Sequence, residues 1–285
     1  TSNTVLIGYQ AGYAINSADA AGTIAIGFQA AKALTEGQYN TFLGYEAGEG
    51  LTTGDANTYL GYNAGKSTTT YSGNTVMGYQ AMSNTAPGAS NVAVGYKAMM
   101  CPTGLGTSNN NPVQSVAIGY EALTAVSTGD NNVAVGFQAM SGSALAGNNN
   151  VAVGMQAGKV LQGAAHSNTF IGAESGLVAT TAVENTVIGF NCELYDATAT
   201  NQIIIGNNLT GTDLDNSVYI GNDSSHIQND FNADATWTHS SDVRQKKEIK
   251  NDILGLDFIN TIRPVTYKHK SPSEFPKEWA AYNSD

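Results

Sequence analysis

Asn40-Thr41-Phe42-Leu43-Gly44-Tyr45-Glu46-Ala47 decides the fold, because the same phrase returns along most of the chain. Asn91-Val92-Ala93-Val94-Gly95-Tyr96-Lys97-Ala98 and Asn132-Val133-Ala134-Val135-Gly136-Phe137-Gln138-Ala139 are further copies. The unit reads Asn-(Thr/Val)-x-(Ile/Val/Leu)-Gly-(Tyr/Phe)-x-Ala. Its glycine stands at 8, 27, 44, 61, 78, 95, 119, 136, 154, 172, 189, 206 and 221. Most spacings are 17 or 18, with 19 at the start, 24 between Gly95 and Gly119, and 15 at the end. A unit this short cannot hold a helix pair and fits one coil of a β-solenoid.

Each position has a physical reading. The residue before the glycine is aliphatic, from Ile7 and Ile26 to Ile220, and the third before is β-branched, from Val5 and Ile24 to Val218. Two residues apart in a strand, they share a face of a pleated surface that suits branched side chains. That face reads as buried, and the variable residue between them (Ala93, Tyr59) faces the other way. The glycine permits a bend or a close backbone approach. The aromatic after it reads as a cap on the neighbouring layer. The third residue after it is small, as at Ala47, Ala98 and Cys192, which predicts a crowded site and a packed rather than reactive Cys192. Asparagine at the strand start suits a turn and a side-chain ladder. Linkers such as Thr52-Thr53-Gly54-Asp55 read as turns.

The bulk numbers agree. Charged residues are 12% and hydrophobic ones 41%, against about 25% charged in an average domain. Residues 1–238 hold four basic residues (Lys32, Lys66, Lys97, Lys159) and sixteen acidic ones, while 239–285 hold eight and seven. The change predicts three segments: a solenoid over 1–222, a linker over 223–240 and a separate domain over 241–285. Four cations on an acidic shaft do not neutralise a phosphate backbone, so a nucleic-acid partner is not expected. No apolar run of about 18 residues predicts a membrane span. Cys101 and Cys192 imply no disulfide framework. The first residues fall inside a repeat, which predicts that the chain is part of a longer protein.

A single thin coil buries little, and three stacks around an axis would cover a third face. The expected fold is therefore all-β: a trimeric parallel β-solenoid or β-roll fibre of ~17-residue coils with a small α+β C-terminal cap. Thirteen coils at about 4.7 Å each predict a rod on the order of 60 Å long. The repeats resemble the heads of trimeric autotransporter adhesins, and resemble still more the arrays of tail-fibre-like proteins.

From His239 the text changes to Ser240-Ser241-Asp242-Val243-Arg244-Gln245-Lys246-Lys247-Glu248-Ile249, followed by Ile262-Arg263-Pro264-Val265-Thr266-Tyr267-Lys268. This segment resembles the start of the self-cleaving intramolecular chaperone of phage tailspikes and tail fibres, although Ile262 replaces the usual Leu and the family's later helices are missing. The resemblance implies a Ser–Lys dyad, with Ser241 as nucleophile, Lys246 as base and the Ser240–Ser241 bond as the one cut. A serine needs such a base, and a desolvated lysine can serve. The pattern also predicts a short helix over 253–262 and a strand at Val265–Lys268.

Other chemistry is poorly supported. Asp213 with Asp215, or Glu46 with Glu49, would be the glycosidase pairs, but they read as solvated turn charges. His166, His226, His239 and His269 are isolated, so neither a metal nor another cofactor is expected. The insertion 99–112 breaks the repeat, and protruding loops often carry binding. Met99, Met100, Leu105, Asn109 and Asn110 are the candidate receptor contacts.

The functional expectation is a structural and receptor-binding fibre of the phage tail-fibre kind on the virion exterior. Its partners would be two further copies, other tail proteins and a host cell-surface glycan or protein. A bacterial surface adhesin is the alternative of similar architecture. A polysaccharide-degrading tailspike is the alternative of another class.

Overall fold

Each copy of the phrase forms one short strand, which stops before its glycine in the first ten copies and runs one residue past it in the last three. The strands are β1 (Val5–Ile7), β2 (Ile24–Ile26), β3 (Thr41–Leu43), β4 (Thr58–Leu60), β5 (Thr75–Met77), β6 (Val92–Val94), β7 (Val116–Ile118), β8 (Val133–Val135), β9 (Val151–Val153), β10 (Thr169–Ile171), β11 (Thr186–Phe190), β12 (Gln202–Asn207), β13 (Ser217–Asn222) and β14 (Ser225–Asp230). The computed structural model describes residues 3–16, 20–84, 88–100, 112–142 and 144–232. The chain divides into two compact units, Thr1–Trp237 and Thr238–Asp285. The second unit, with the expected helix and strand of the C-terminal cap, lies outside the described residues.

The strands stack in sequence order in one sheet. Equal spacing puts equivalent residues opposite each other, as in Thr41↔Thr58 and Leu43↔Leu60. The 24-residue interval is absorbed outside the sheet, since Val92↔Val116 and Val94↔Ile118 keep the register. The described residues contain no helix. The fold is thus an all-β parallel solenoid with turns of about 17 residues. Its last strand differs: β14 pairs antiparallel with β13, Ser217 opposite Asp230. Residues 225–230, read from the sequence as the beginning of a linker, therefore fold back on the last parallel rung.

The core is lined by the residue between the two invariant rows. Ala25, Phe42, Tyr59, Val76, Ala93, Ala117, Ala134, Ala152, Phe170, Val187 and Ile204 are fully buried. Leu43, Met77 and Ile118 are 44%, 38% and 40% exposed. The face expected to be buried is therefore the outer face of the single chain.

In several coils interior volume is traded between two positions rather than fixed at each. Where the middle residue is Phe42 or Tyr59, the fourth residue after the repeat glycine is Gly48 or Gly65; a Cβ on Gly65 would lie 2.6 Å from the Tyr59 ring. Where the middle residue is Ala93, Ala117 or Ala134, the fourth is Met99, Leu123 or Met140, all buried. Opposite Ala152 stands Gly158, and the Phe170 ring of the next rung approaches that space. These swaps keep the layer at close-packed density.

Two further ladders hold the rungs together. The repeat glycines approach one another so closely that a Cβ on Gly61, at φ +133°, would lie 2.6 Å from the carbonyl oxygen of Gly78. The strand-entry asparagines are buried, and each side-chain oxygen takes a backbone N–H from the next rung: Asn57 N donates to Asn40 Oδ1 and Asn74 N to Asn57 Oδ1, both at 2.9 Å. Most of the Nδ2 groups turn to the returning arm of the coil, as in Asn40 to Gly54 O at 2.8 Å and Asn150 to Ala165 O at 2.8 Å, while that of Asn74 has no hydrogen-bond partner. Ser115 and Gln202 continue the ladder, Asn132 N donating to Ser115 Oγ and Gln202 N to Asn185 Oδ1. Without these acceptors the buried strand-entry N–H groups would each cost about 1–3 kcal/mol.

Candidate interaction surface

Three rows meet on the outside of the sheet: the third and first residues before each glycine and the first after it, except that Val218 of the last rung is buried. Across all thirteen rungs these 39 positions carry no Asp, Glu, Lys or Arg. Large members of the rows are open to solvent, including Ile24, Leu43, Met77, Ile118, Ile171 and Ile220. Soluble monomers rarely expose an apolar surface that long. The rows are shaped by the pleat, which sends the invariant branched residues outward while the middle residue fills the coil.

The row after the glycine is an aromatic ridge. Tyr9, Phe28, Tyr45, Tyr62, Tyr79, Tyr96, Tyr120 and Phe137 stack rung upon rung, with centroids 4.8–5.4 Å apart and planes within 16° of parallel. The expectation that each aromatic caps a neighbouring layer is thus replaced by a continuous side-by-side stack outside the coil. Beyond Phe137 the row continues as Met155, Ala173, Phe190, Asn207 and Asn222, so the ridge covers the first eight rungs. The phenols of Tyr45 and Tyr120 are held above the usual tyrosine range by loss of hydration first, and then by the adjacent carboxylates of Glu46 and Glu121.

Polar residues flank the ridge. Lys66 Nζ lies 2.6 Å from Glu46 Oε2 and 3.5 Å from Glu49 Oε2, and Lys32 lies 3.5 Å from Glu49. The hydrogen bond to Glu46 is the main reason that the Lys66 ammonium is held above its ordinary value. Lys97 sits over the ring of Tyr96, 5.2 Å from its centroid.

The structure sorts the residues singled out in the sequence. Met99 is 1% exposed; it fills the space left by Ala93 and is not open to a receptor, which corrects its place among the loop contacts. Met100 is half-buried, and its N–H donates to Lys97 O. Leu105, Asn109 and Asn110 lie outside the described residues, as do Ser240, Ser241 and Lys246. The insertion returns at Pro112, buried, whose carbonyl accepts from Asn91 Nδ2. Cys192 is fully buried and its thiol is pushed up by burial. Glu46 and Glu49 are held by lysines, and Asp215 accepts the Thr200 N–H at 2.7 Å. Among the described residues no group of three or more His, Cys, Asp or Glu is placed to hold a metal ion. No described helix is long and apolar enough to cross a membrane.

Sequence reasoning missed that the invariant rows form the outer surface. The signal was present in the pairing of Phe42 with Gly48 and of Ala93 with Met99, since only residues sharing one interior trade volume in this way. No family model, curated protein or solved structure matches this chain.

Proposed function

We propose that this chain is a subunit of a structural, receptor-binding fibre of the phage tail-fibre kind, carried on the virion exterior and trimeric through its outer sheet face. The observation that carries the reading is the uncharged outer face of the parallel rungs, largely apolar up to the last two, where Asn207 and Asn222 follow the glycine. Thirteen rungs and three side-chain rows give a strip about 60 Å long and about 13 Å wide, on the order of 800 Å². That is about what each partner contributes to a stable protein interface. A second copy has the same rung spacing, so its ladders match this one from end to end. Three copies around an axis form a closed arrangement that covers the face of each.

The resemblance of 239–270 to an intramolecular chaperone favours a phage-type fibre over a bacterial adhesin. In this reading Ser241, activated by Lys246, cuts the Ser240–Ser241 bond after the chaperone has nucleated the trimer. Ser241→Ala in a chain carrying the whole chaperone should abolish cleavage and leave the trimer intact; cleavage that persists, or falls at another bond, refutes the dyad.

Attachment is tested by labelled protein on a panel of bacterial strains. Deleting 101–111 should lower binding to a strain that the intact chain labels, with the melting temperature nearly unchanged. Binding to no strain, or equal binding after deletion, speaks against a receptor role for the insertion.

A further inference from the structure

We propose that the run Tyr45, Tyr62, Tyr79, Tyr96 and Tyr120 is a site of oxidative cross-linking, where a one-electron oxidant joins tyrosines of consecutive rungs. Consecutive rings in this run lie 5.1, 5.1, 5.3 and 4.9 Å apart between centroids, with planes 7–11° from parallel. The register of the parallel sheet fixes this spacing, so each phenol is held beside the next one without any motion of the backbone. The rings are 38–44% exposed in the single chain, so the reaction belongs to a chain whose outer face is not yet covered, where rotation about the side-chain torsions brings neighbouring ring edges together. The stack itself does not need hydroxyls, because Phe28 and Phe137 occupy the same row with the same geometry. Five consecutive phenols therefore add chemistry that packing does not require.

The chemistry follows from the phenol. Oxidation removes one electron and the hydroxyl proton, and leaves spin on the oxygen and on the ring carbons ortho to it. The carboxylates of Glu46 and Glu121 lie beside the two end phenols of the run and can take such a proton. Two radicals on adjacent rungs form one carbon–carbon bond between ortho carbons, and each ring's ortho hydrogen then moves as a proton to that ring's own oxygen, which restores the phenol and the aromatic ring. The balance is two phenols giving one biaryl, two electrons and two protons. Hydrogen peroxide acting through a haem peroxidase accepts them and becomes two waters. A link between Tyr45 and Tyr62 joins one coil covalently to the next.

The test uses the full chain and a small photo-oxidant, ruthenium tris-bipyridine with persulfate as electron acceptor, followed by digestion and mass spectrometry. Links 45–62, 62–79 and 79–96 should exceed any link involving Tyr13, Tyr39 or Tyr195 by at least about tenfold, because neighbouring phenols react at high effective concentration. Those three tyrosines are 71%, 68% and 55% exposed and lie outside the stack, so they report what exposure alone produces. Tyr62→Phe with Tyr79→Phe keeps the ring stack and should remove most of the dityrosine fluorescence. Links distributed by exposure, links found only between chains, or unchanged fluorescence in the double variant would overturn the proposal.

Discussion

Phe42 and Leu43 are neighbours in β3 and point to opposite sides of the sheet: Phe42 is fully buried, and Leu43 is 44% exposed. One side chain holds the coil together, and the other is left for a partner. Phe42→Ala should cost about 3–5 kcal/mol, the loss typical of an emptied aromatic site, seen as a lower urea midpoint. Leu43→Ser should leave the far-ultraviolet circular dichroism unchanged and shift the native mass distribution toward smaller species.

The trade of volume between Phe42 and Gly48 predicts a rescue. Gly48→Met alone overpacks the Phe42 ring and should cost about 1–3 kcal/mol. The double variant Phe42→Ala with Gly48→Met rebuilds the pair seen at Ala93 and Met99, where Met99 already accepts φ +51°. Its urea midpoint should lie above that of Phe42→Ala, with a coupling of about 0.5–3 kcal/mol. Strict additivity would show that the two positions do not share one interior.

Much of the fold was legible because the repeat is strict. The glycine row located the strands, the asparagine row located the buried ladder, and Cys192 sits in the crowded small-residue site expected of it. What a three-residue strand does not declare is which of its faces is inside. Invariance at Leu43 and Ile118 suggested the core, but in a solenoid the interior tolerates variation when the coil compensates, and the outer rows are held constant by their match from rung to rung. The strand at 225–230 carries no repeat glycine, so the period gave no sign of it. The fourth residue after the glycine hid Met99, which reads as loop when the insertion is taken to begin there.

The asparagine ladder sets a second expectation. Asn150 Oδ1 accepts from both the N–H and Nδ2 of Asn168, at 3.1 and 3.0 Å. Asn150→Ala strands that buried N–H and the carbonyl of Ala165, and should cost about 2–4 kcal/mol for two unsatisfied groups. Hydrogen exchange should quicken at Asn168 and its neighbours before it does at β2 and β3. A uniform change along the stack would indicate a global rather than a ladder effect.

Tyr59 predicts an alkaline limit. Its phenol is buried, pushed up to about 12, and its hydroxyl lies beside Thr68 and Asn74 without hydrogen-bond geometry to either. An unfolded tyrosine ionises near pH 10, so the unfolded chain releases this proton first. The contribution is intact below pH 10 and is lost between about 10 and 12, up to about 2–3 kcal/mol. Tyr59→Phe should match or exceed the parent at pH 8 and melt clearly above it at pH 11. A difference that does not grow with pH contradicts this.

The central claim is that the uncharged outer face is covered by further copies of the chain. Native mass spectrometry of the intact protein, at concentrations diluted through the micromolar range, measures it most directly. The account predicts a species of three chains, which loses mass when Leu43, Met77 and Ile118 are together replaced by serine while the β-sheet dichroism persists. A stable, soluble monomer across the whole range, with those side chains in place, would contradict it.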